Sequence, residues 1–150
     1  MSTIAHETLT ISRTIAAPVA DLWDAYADAA IRAQWSVPEG EAMVYDAADF
    51  REGGRDLYRC GPPEALEFHA VVDYVRIVPH RLIVYAERVR TDEQALAAGL
   101  LTWEFEEHGD GTRVVITCQM ASFVGEGMIE GNRNGHTAAL DQLEKLLAPR

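Results

Sequence analysis

Two ionisable side chains in this 150-residue sequence are the best placed to do chemistry, His136 and Glu87. His136 lies on the apolar side of a predicted C-terminal helix, and Glu87 shares one face of a predicted strand with Tyr85. A buried carboxyl group has a raised pKa, which suits it to general acid or base catalysis. Glu87 and His136 are therefore the candidate catalytic residues. The structural alternatives are a satisfied core histidine and an outward-facing Glu87 paired with Arg59 or Arg88.

Other catalytic and binding motifs are missing from the sequence. The histidines show no metal-ligand spacing such as HExxH, so no metal site is predicted. The GxGxxxG segment that begins at Gly125 has no parallel βαβ unit around it, so we predict no dinucleotide and no other cofactor. There is no GxSxG motif, and neither Cys60 nor Cys118 adjoins a basic helix start that would activate a thiolate. The sequence therefore favours binding over catalysis.

The charge of the chain excludes several classes of partner. Thirteen Lys and Arg residues stand against 24 Asp and Glu residues, which gives a net charge of −11. Nucleic acid and anionic membranes repel such a surface, so neither is a predicted partner. No apolar run reaches the ~18 residues of a membrane span, and the first residues do not resemble a secretory signal. We therefore expect a cytoplasmic protein in which Cys60 and Cys118 are free thiols.

The first part of the chain predicts a strand followed by two short helices. Polar and apolar residues alternate over 7–15, which is typical of a half-buried strand. A short amphipathic helix follows Pro18, with its apolar face formed by Val19, Leu22, Trp23 and Tyr26. Asp28 can cap a second short helix, which ends near Trp35.

The middle of the chain predicts a series of consecutive strands. Strands are expected over 42–45, 49–50, 55–60, 66–78, 82–89, 100–107 and 113–120. Residues 91–99 are a predicted loop, and His108-Gly109-Asp110-Gly111 is a predicted hairpin turn, for which Asp-Gly is a strong signal. Consecutive strands joined by tight turns form an antiparallel meander.

The C-terminal segment changes to a helical period. From Glu130 onward one stripe is formed by His136, Ala139, Leu140, Leu143, Leu146 and Leu147. A helix of about 18 residues with one apolar stripe must bury that stripe against the sheet. The sequence thus predicts an α+β protein, one domain over residues 1–150, with a curved antiparallel sheet of six or seven strands around this long helix. Such a sheet leaves a cavity between itself and the helix.

Several segments occur in an order that matches a known family. They are Ile15-Ala16-Ala17-Pro18-Val19 with Leu22-Trp23, the later Trp35, the turn Phe50-Arg51-Glu52-Gly53-Gly54-Arg55, the hairpin from Tyr74 to Tyr85, Thr102-Trp103-Glu104-Phe105 with Gly109-Asp110-Gly111-Thr112-Arg113-Val114, and a closing helix with Leu140, Leu143 and Leu147. This set covers about residues 8–148. It resembles the START-like (SRPBCC) superfamily and, within it, the short single-domain type of the activator of Hsp90 ATPase homologue family. The resemblance implies a helix-grip (START/Bet v 1-like) fold with a hydrophobic cavity.

The resemblance implies three alternative functions. The favoured one is non-enzymatic binding of a hydrophobic small molecule, lipid or polyketide-like, between the sheet and the C-terminal helix. The second is a cyclase or aromatase for a polyketide-like substrate, with Glu87, His136 or a tyrosine as acid–base groups. The third is a chaperone-linked interaction module of the stress response, which is less supported because this short type lacks the additional N-terminal domain of the co-chaperone. A homodimer is a further expectation, because relatives of this type often pair.

Residues from three separate segments are predicted to line the cavity and bind the ligand. The predicted ligand-binding residues are Trp35, Tyr58, Phe68, Tyr85, Trp103, Phe123, Met128 and His136. Most are aromatic and would supply apolar walls. His136 would be the polar anchor, since a few placed polar groups give an apolar pocket its specificity.

Overall fold

The computed structural model describes residues 4–149 as three helices and one antiparallel sheet of seven strands. In chain order the elements are β1 (Ala5–Ile15), α1 (Val19–Ala27), α2 (Ala29–Trp35), β2 (Ala42–Ala47), β3 (Arg55–Gly61), β4 (Phe68–Val78), β5 (Leu82–Arg90), β6 (Ala95–His108), β7 (Gly111–Ser122) and α3 (Gly127–Leu146). The strand order in the sheet is β1-β7-β6-β5-β4-β3-β2, so the first strand pairs with the last. The sheet curves around α3, which confirms the predicted helix-grip fold.

The two short helices form where the sequence predicts them. Pro18 precedes the first residue of α1, a position where its missing N–H costs no hydrogen bond. The Asp28 side chain accepts hydrogen bonds from the backbone N–H groups of Ala30 and Ile31, at 2.9 and 3.2 Å. These bonds satisfy donors that the first turn of α2 would otherwise leave free. The predicted cap of α2 is therefore confirmed.

The C-terminal half of α3 is firmly attached to the rest of the fold. Leu140 and Leu143 are completely buried against the core. The Gln142 side-chain amide donates to the backbone oxygens of Trp35 and Val37 and so ties α3 to the end of α2. Leu146, which was expected to widen the apolar stripe, is 45% exposed because it lies at the edge of that stripe. That part of the helix prediction is wrong.

The N-terminal half of α3 contains a row of glycines. Gly127, Gly131 and Gly135 are four residues apart along the helix. A Cβ atom added at any of them would meet no atom within 4 Å. Close packing of a neighbouring element therefore does not require these glycines.

Several element boundaries differ from the prediction, and the three largest differences follow. Residues 49–50 are not a strand, because the Asp49 N–H donates to the Asp56 carboxylate and the chain turns there. The strand expected from residue 100 begins at Ala95, because residues 95–99 pair with β5 and residues 97–99 also pair with β7, which removes most of the predicted loop. The last helix begins three residues before Glu130.

Two further findings concern the cysteines and the helices. Cys60 and Cys118 are both free cysteines, as expected. Within residues 4–149 no helix is both long enough and apolar enough to cross a membrane.

Candidate functional site

A cavity of about 80 Å³ lies between α3 and the inner face of the sheet. Its lining residues are Tyr26, Arg32, Trp35, Ser36, Met43, Tyr45, Asp56, Tyr58, Val72, Tyr74, Tyr85, Glu87, Trp103, His136 and Ala139. One water molecule needs about 10–15 Å³ of such space, so this cavity is large enough for several waters. Aromatic rings form much of the wall, yet most of the lining side chains also carry a hydrogen-bonding group.

A buried ion pair forms one wall of the cavity. The Arg32 guanidinium donates to the Asp56 carboxylate at 2.8 Å, to the Tyr45 hydroxyl at 2.7 Å and to the backbone oxygen of Tyr26 at 2.6 Å. The Tyr74 hydroxyl also donates to Asp56. Arg32 and Asp56 are 4% and 1% exposed. Each charge therefore has the opposite charge and hydroxyl partners that a buried ion needs.

Tyrosine hydroxyls surround the centre of the cavity. The Trp103 indole N–H donates to the Tyr85 hydroxyl at 3.2 Å, and the Tyr58 hydroxyl donates to the Glu87 carboxylate at 2.8 Å. Burial raises the pKa values of Tyr58 and Tyr85 well above the ordinary value of 10. These phenols therefore stay neutral and act as hydrogen-bonding groups at physiological pH.

Glu87 faces the interior. It follows Ile83 and Tyr85 on the inner face of β5, and burial raises the pKa of its carboxyl group. The alternative of an outward ion pair with Arg59 is wrong, because Arg59 pairs with Asp46 at 2.8 Å. Glu87 also lines a second cavity of about 20 Å³, together with Met128 and Asn132. One carboxyl group thus adjoins both spaces.

Two polar atoms of α3 point into the interior without a partner. Among the described residues, the Asn132 Oδ1 and His136 Nε2 atoms are buried and accept or donate no hydrogen bond. The His136 ring lies edge-on to the Trp103 ring, with 6.1 Å between ring centroids. Burial lowers the pKa of His136 to about 4, so its imidazole is neutral at pH 7.

The predicted lining residues fall into three groups. Trp35, Tyr58, Tyr85, Trp103 and His136 line the larger cavity together with Glu87. Met128 lines the smaller one. Phe68 and Phe123 are half-buried and line neither cavity. The cavity-facing side chains are thus largely those expected, and their role in ligand binding stays a prediction.

Three polar lining residues were not predicted from the sequence. Arg32, Asp56 and Asn132 were not candidates, since charged and amide side chains are usually exposed. Strand alternation carries a signal for Asp56, which shares the inner face of β3 with Tyr58. No group of three or more His, Cys, Asp or Glu residues within 4–149 is arranged to hold a metal ion.

Comparison with known families identifies the fold type. Residues 16–148 match the family described as Activator of Hsp90 ATPase homolog 1-like protein. The chain belongs to this family. Family and fold together are consistent with a START-like ligand-binding domain.

Solved structures of similar proteins span nearly the whole chain. A protein from Rhizobium loti is 32% identical with a TM-score of 0.84, covering 95% of this chain and 97% of its own. One from Rhizobium leguminosarum is also 32% identical, with a TM-score of 0.86 and coverages of 96% and 95%. A Chromobacterium violaceum protein at 23% identity, with a TM-score of 0.83 and coverages of 95% and 98%, shows the shared fold alone. No curated protein matches the chain in sequence.

Proposed function

We propose that this protein binds a small, largely hydrophobic molecule that carries a hydrogen-bonding group, and that it does so without catalysis. The observation that supports this is the meeting of aromatic walls with two unpartnered polar atoms, Asn132 Oδ1 and His136 Nε2, at one interior face. A buried polar atom without a hydrogen bond costs about 1–3 kcal/mol. A ligand that supplies the missing bonds recovers that free energy.

The size of the cavity restricts the ligand. An engineered apolar cavity of 150 Å³ is known to hold benzene, whereas this cavity measures about 80 Å³. A ligand of a few non-hydrogen atoms therefore fits without rearrangement. A lipid or polyketide-like compound, the ligand expected from the family resemblance, requires α3 or the cavity side chains to move. Homodimer formation, a chaperone partner and a cytoplasmic location stay predictions.

The test is whether the protein carries a bound molecule and where. Native mass spectrometry of protein isolated from its own source should show an added mass. Ala139 is 4% exposed and lines the cavity. The larger side chain of Ala139→Leu would fill the cavity, so this variant should lose the added mass. Ala30→Leu on the exposed side of α2 should keep it. Absence of a bound mass from the wild type, or its retention in folded Ala139→Leu, would contradict the proposal.

Acid–base catalysis is a second candidate, favoured by the shared position of Glu87 and His136 in one cavity. Burial raises the pKa of the Glu87 carboxyl group toward the neutral range and lowers that of the His136 imidazole to about 4, so Glu87 is the better placed of the two to exchange a proton. Acetone is small enough to enter, and the carboxylate would take a proton from its methyl group to form the enolate, which then takes a deuteron from D2O. NMR should show faster exchange with wild type than with Glu87→Gln. The exposed Glu104→Gln is the control.

A further inference from the structure

Three polar groups that can accept hydrogen bonds line the two cavities between β5 and α3. Glu87 lines both cavities, His136 lines the larger one and Asn132 the smaller one. Asn132 and His136 are one helical turn apart, which separates their Cα atoms by about 6 Å along the axis. Within residues 4–149 the Asn132 Oδ1 and the His136 Nε2 have no hydrogen-bond partner, and the carboxylate of Glu87 accepts a hydrogen bond from the Tyr58 hydroxyl. These three groups therefore leave acceptor positions unfilled.

The positive charge that lines the larger cavity with Glu87 belongs to Arg32 and is paired with another carboxylate. The titratable groups that feel the charge of Glu87 or share its larger cavity are Tyr26, Arg32, Tyr45, Asp56, Tyr58, Cys60, Tyr74, Tyr85, Cys118 and His136. Burial raises the pKa of Cys60 to about 11 and that of Cys118 to about 12, so both thiols are neutral. Arg32 also lines the cavity, but its charge is already matched by Asp56 at 2.8 Å. A carboxylate at Glu87 is thus left without a counter-ion.

We propose that the ligand is a small primary amine in its ammonium form, held by Glu87, Asn132 and His136. This rests on the proposed function, since it names the chemical class of the molecule in the same cavity. An ammonium group has three N–H donors and no acceptor, which complements three acceptors. The rings of Tyr58, Tyr85 and Trp103 line the same space and can attract a cation through their faces. The alkyl part of the amine then lies against the aromatic walls.

An alcohol is the alternative that the test must separate from an amine. A hydroxyl group supplies one donor and also brings an acceptor, so it leaves two of the three acceptors and the charge of Glu87 unmatched. Propylammonium and 1-propanol have the same number of non-hydrogen atoms. They differ in charge and in number of donors, and both suit a cavity of about 80 Å³.

The experiment is an NMR titration of the folded protein with each probe at pH 8, where an alkylamine is protonated. Propylammonium should shift the amide signals of 132 and 136 and bind at least tenfold more tightly than 1-propanol. Glu87→Gln should weaken the binding of propylammonium at least tenfold and the binding of 1-propanol less than twofold. Glu104→Gln, on an exposed strand position, should change neither. Asn132→Leu should also weaken propylammonium, and the exposed Asn134→Leu should not.

The outcomes separate this inference from the proposed function. If both probes bind with equal affinity, or if Glu87→Gln and Asn132→Leu leave propylammonium binding unchanged, the amine assignment is wrong while small-molecule binding stands. If neither probe shifts the cavity signals, the amine assignment is again wrong, and the native mass spectrum alone decides the proposed function. If the propylammonium shifts map outside the cavity, the position of the site is wrong.

Discussion

The guanidinium group of Arg32 lies 2.8 Å from the carboxylate of Asp56, with both side chains almost completely buried. The first residue belongs to α2 and the second to β3, so this ion pair links the short helices to the sheet. The Tyr45 and Tyr74 hydroxyls complete it. The pair therefore fixes one wall of the cavity as well as the position of α2.

Removing one partner of this pair should strongly destabilise the fold. Asp56→Ala leaves a buried guanidinium without its counter-ion, and we expect a loss of about 3–5 kcal/mol in the free energy of unfolding. Asp73→Ala breaks an exposed pair with Arg55, whose N···O distance is 2.7 Å, and should cost less than about 1 kcal/mol. Urea titration of both variants measures the difference. Equal losses would mean that the buried pair contributes no more than a surface pair.

The buried face of α3 gives a second prediction. Leu143→Ala should lower the free energy of unfolding by about 2–5 kcal/mol, because it leaves a cavity in the core. Leu146→Ala makes the same chemical change three residues later, at a side chain that is 45% exposed. Apart from the effect on helix propensity, it should change the free energy of unfolding by no more than about 0.5 kcal/mol. Urea titration again gives both values. A cost at Leu146 that matches the one at Leu143 would place the buried face of α3 elsewhere.

His136 should make the protein less stable in acid. Burial lowers its pKa to about 4 from the ordinary 6.5, so the unfolded chain binds its proton first. The stability contribution is fully present above pH 6.5 and is lost as the pH falls through 4, by at most about 3 kcal/mol. His136→Leu keeps the bulk and should remove this part of the pH dependence. Chemical unfolding at several values between pH 4 and 7 tests it, and parallel curves for wild type and variant would refute it.

Glu87 should act in the opposite direction. Burial raises its pKa, so the folded protein holds this proton more tightly than the unfolded chain does. Stability from this group is present at low pH and is lost as the pH rises through the folded pKa. Relative to wild type, Glu87→Gln should therefore gain stability between pH 4 and 8. Glu104→Gln, which is exposed, should follow the wild type over the same range. A gain that is the same at every pH would show that Glu87 is not a buried ionisable group.

The fold could be predicted because its signals are local. The cap at Asp28, the alternation along the strands and the stripe of α3 each depend on residues close in sequence. The start of β6 could not be predicted, because the small residues near Gly99 have little strand preference. Pairing with both β5 and β7 imposes the strand there.

The aromatic lining of the candidate site was predictable, and so were two of its polar groups, Glu87 and His136. Tyrosine and tryptophan on alternating strand positions indicate an inner face by themselves, and Trp103 and Tyr85 both lie there. Arg32 and Asp56 are 24 positions apart in the chain. Each can be buried because the opposite charge of the other stabilises it. Charged residues of this kind are usually exposed when taken singly, so their pairing required the structure.

We expect the glycine row of α3 to make the N-terminal half of that helix less stable than its C-terminal half. A helical glycine costs about 1 kcal/mol relative to alanine, and Gly127, Gly131 and Gly135 all lie ahead of the anchored turns at Leu140 and Leu143. The first turns should therefore unfold locally while the last turns stay formed, and their amide hydrogens should exchange faster. Asn132 and His136 both belong to the weaker half. Local unfolding there would open the interior to a ligand without breaking the core.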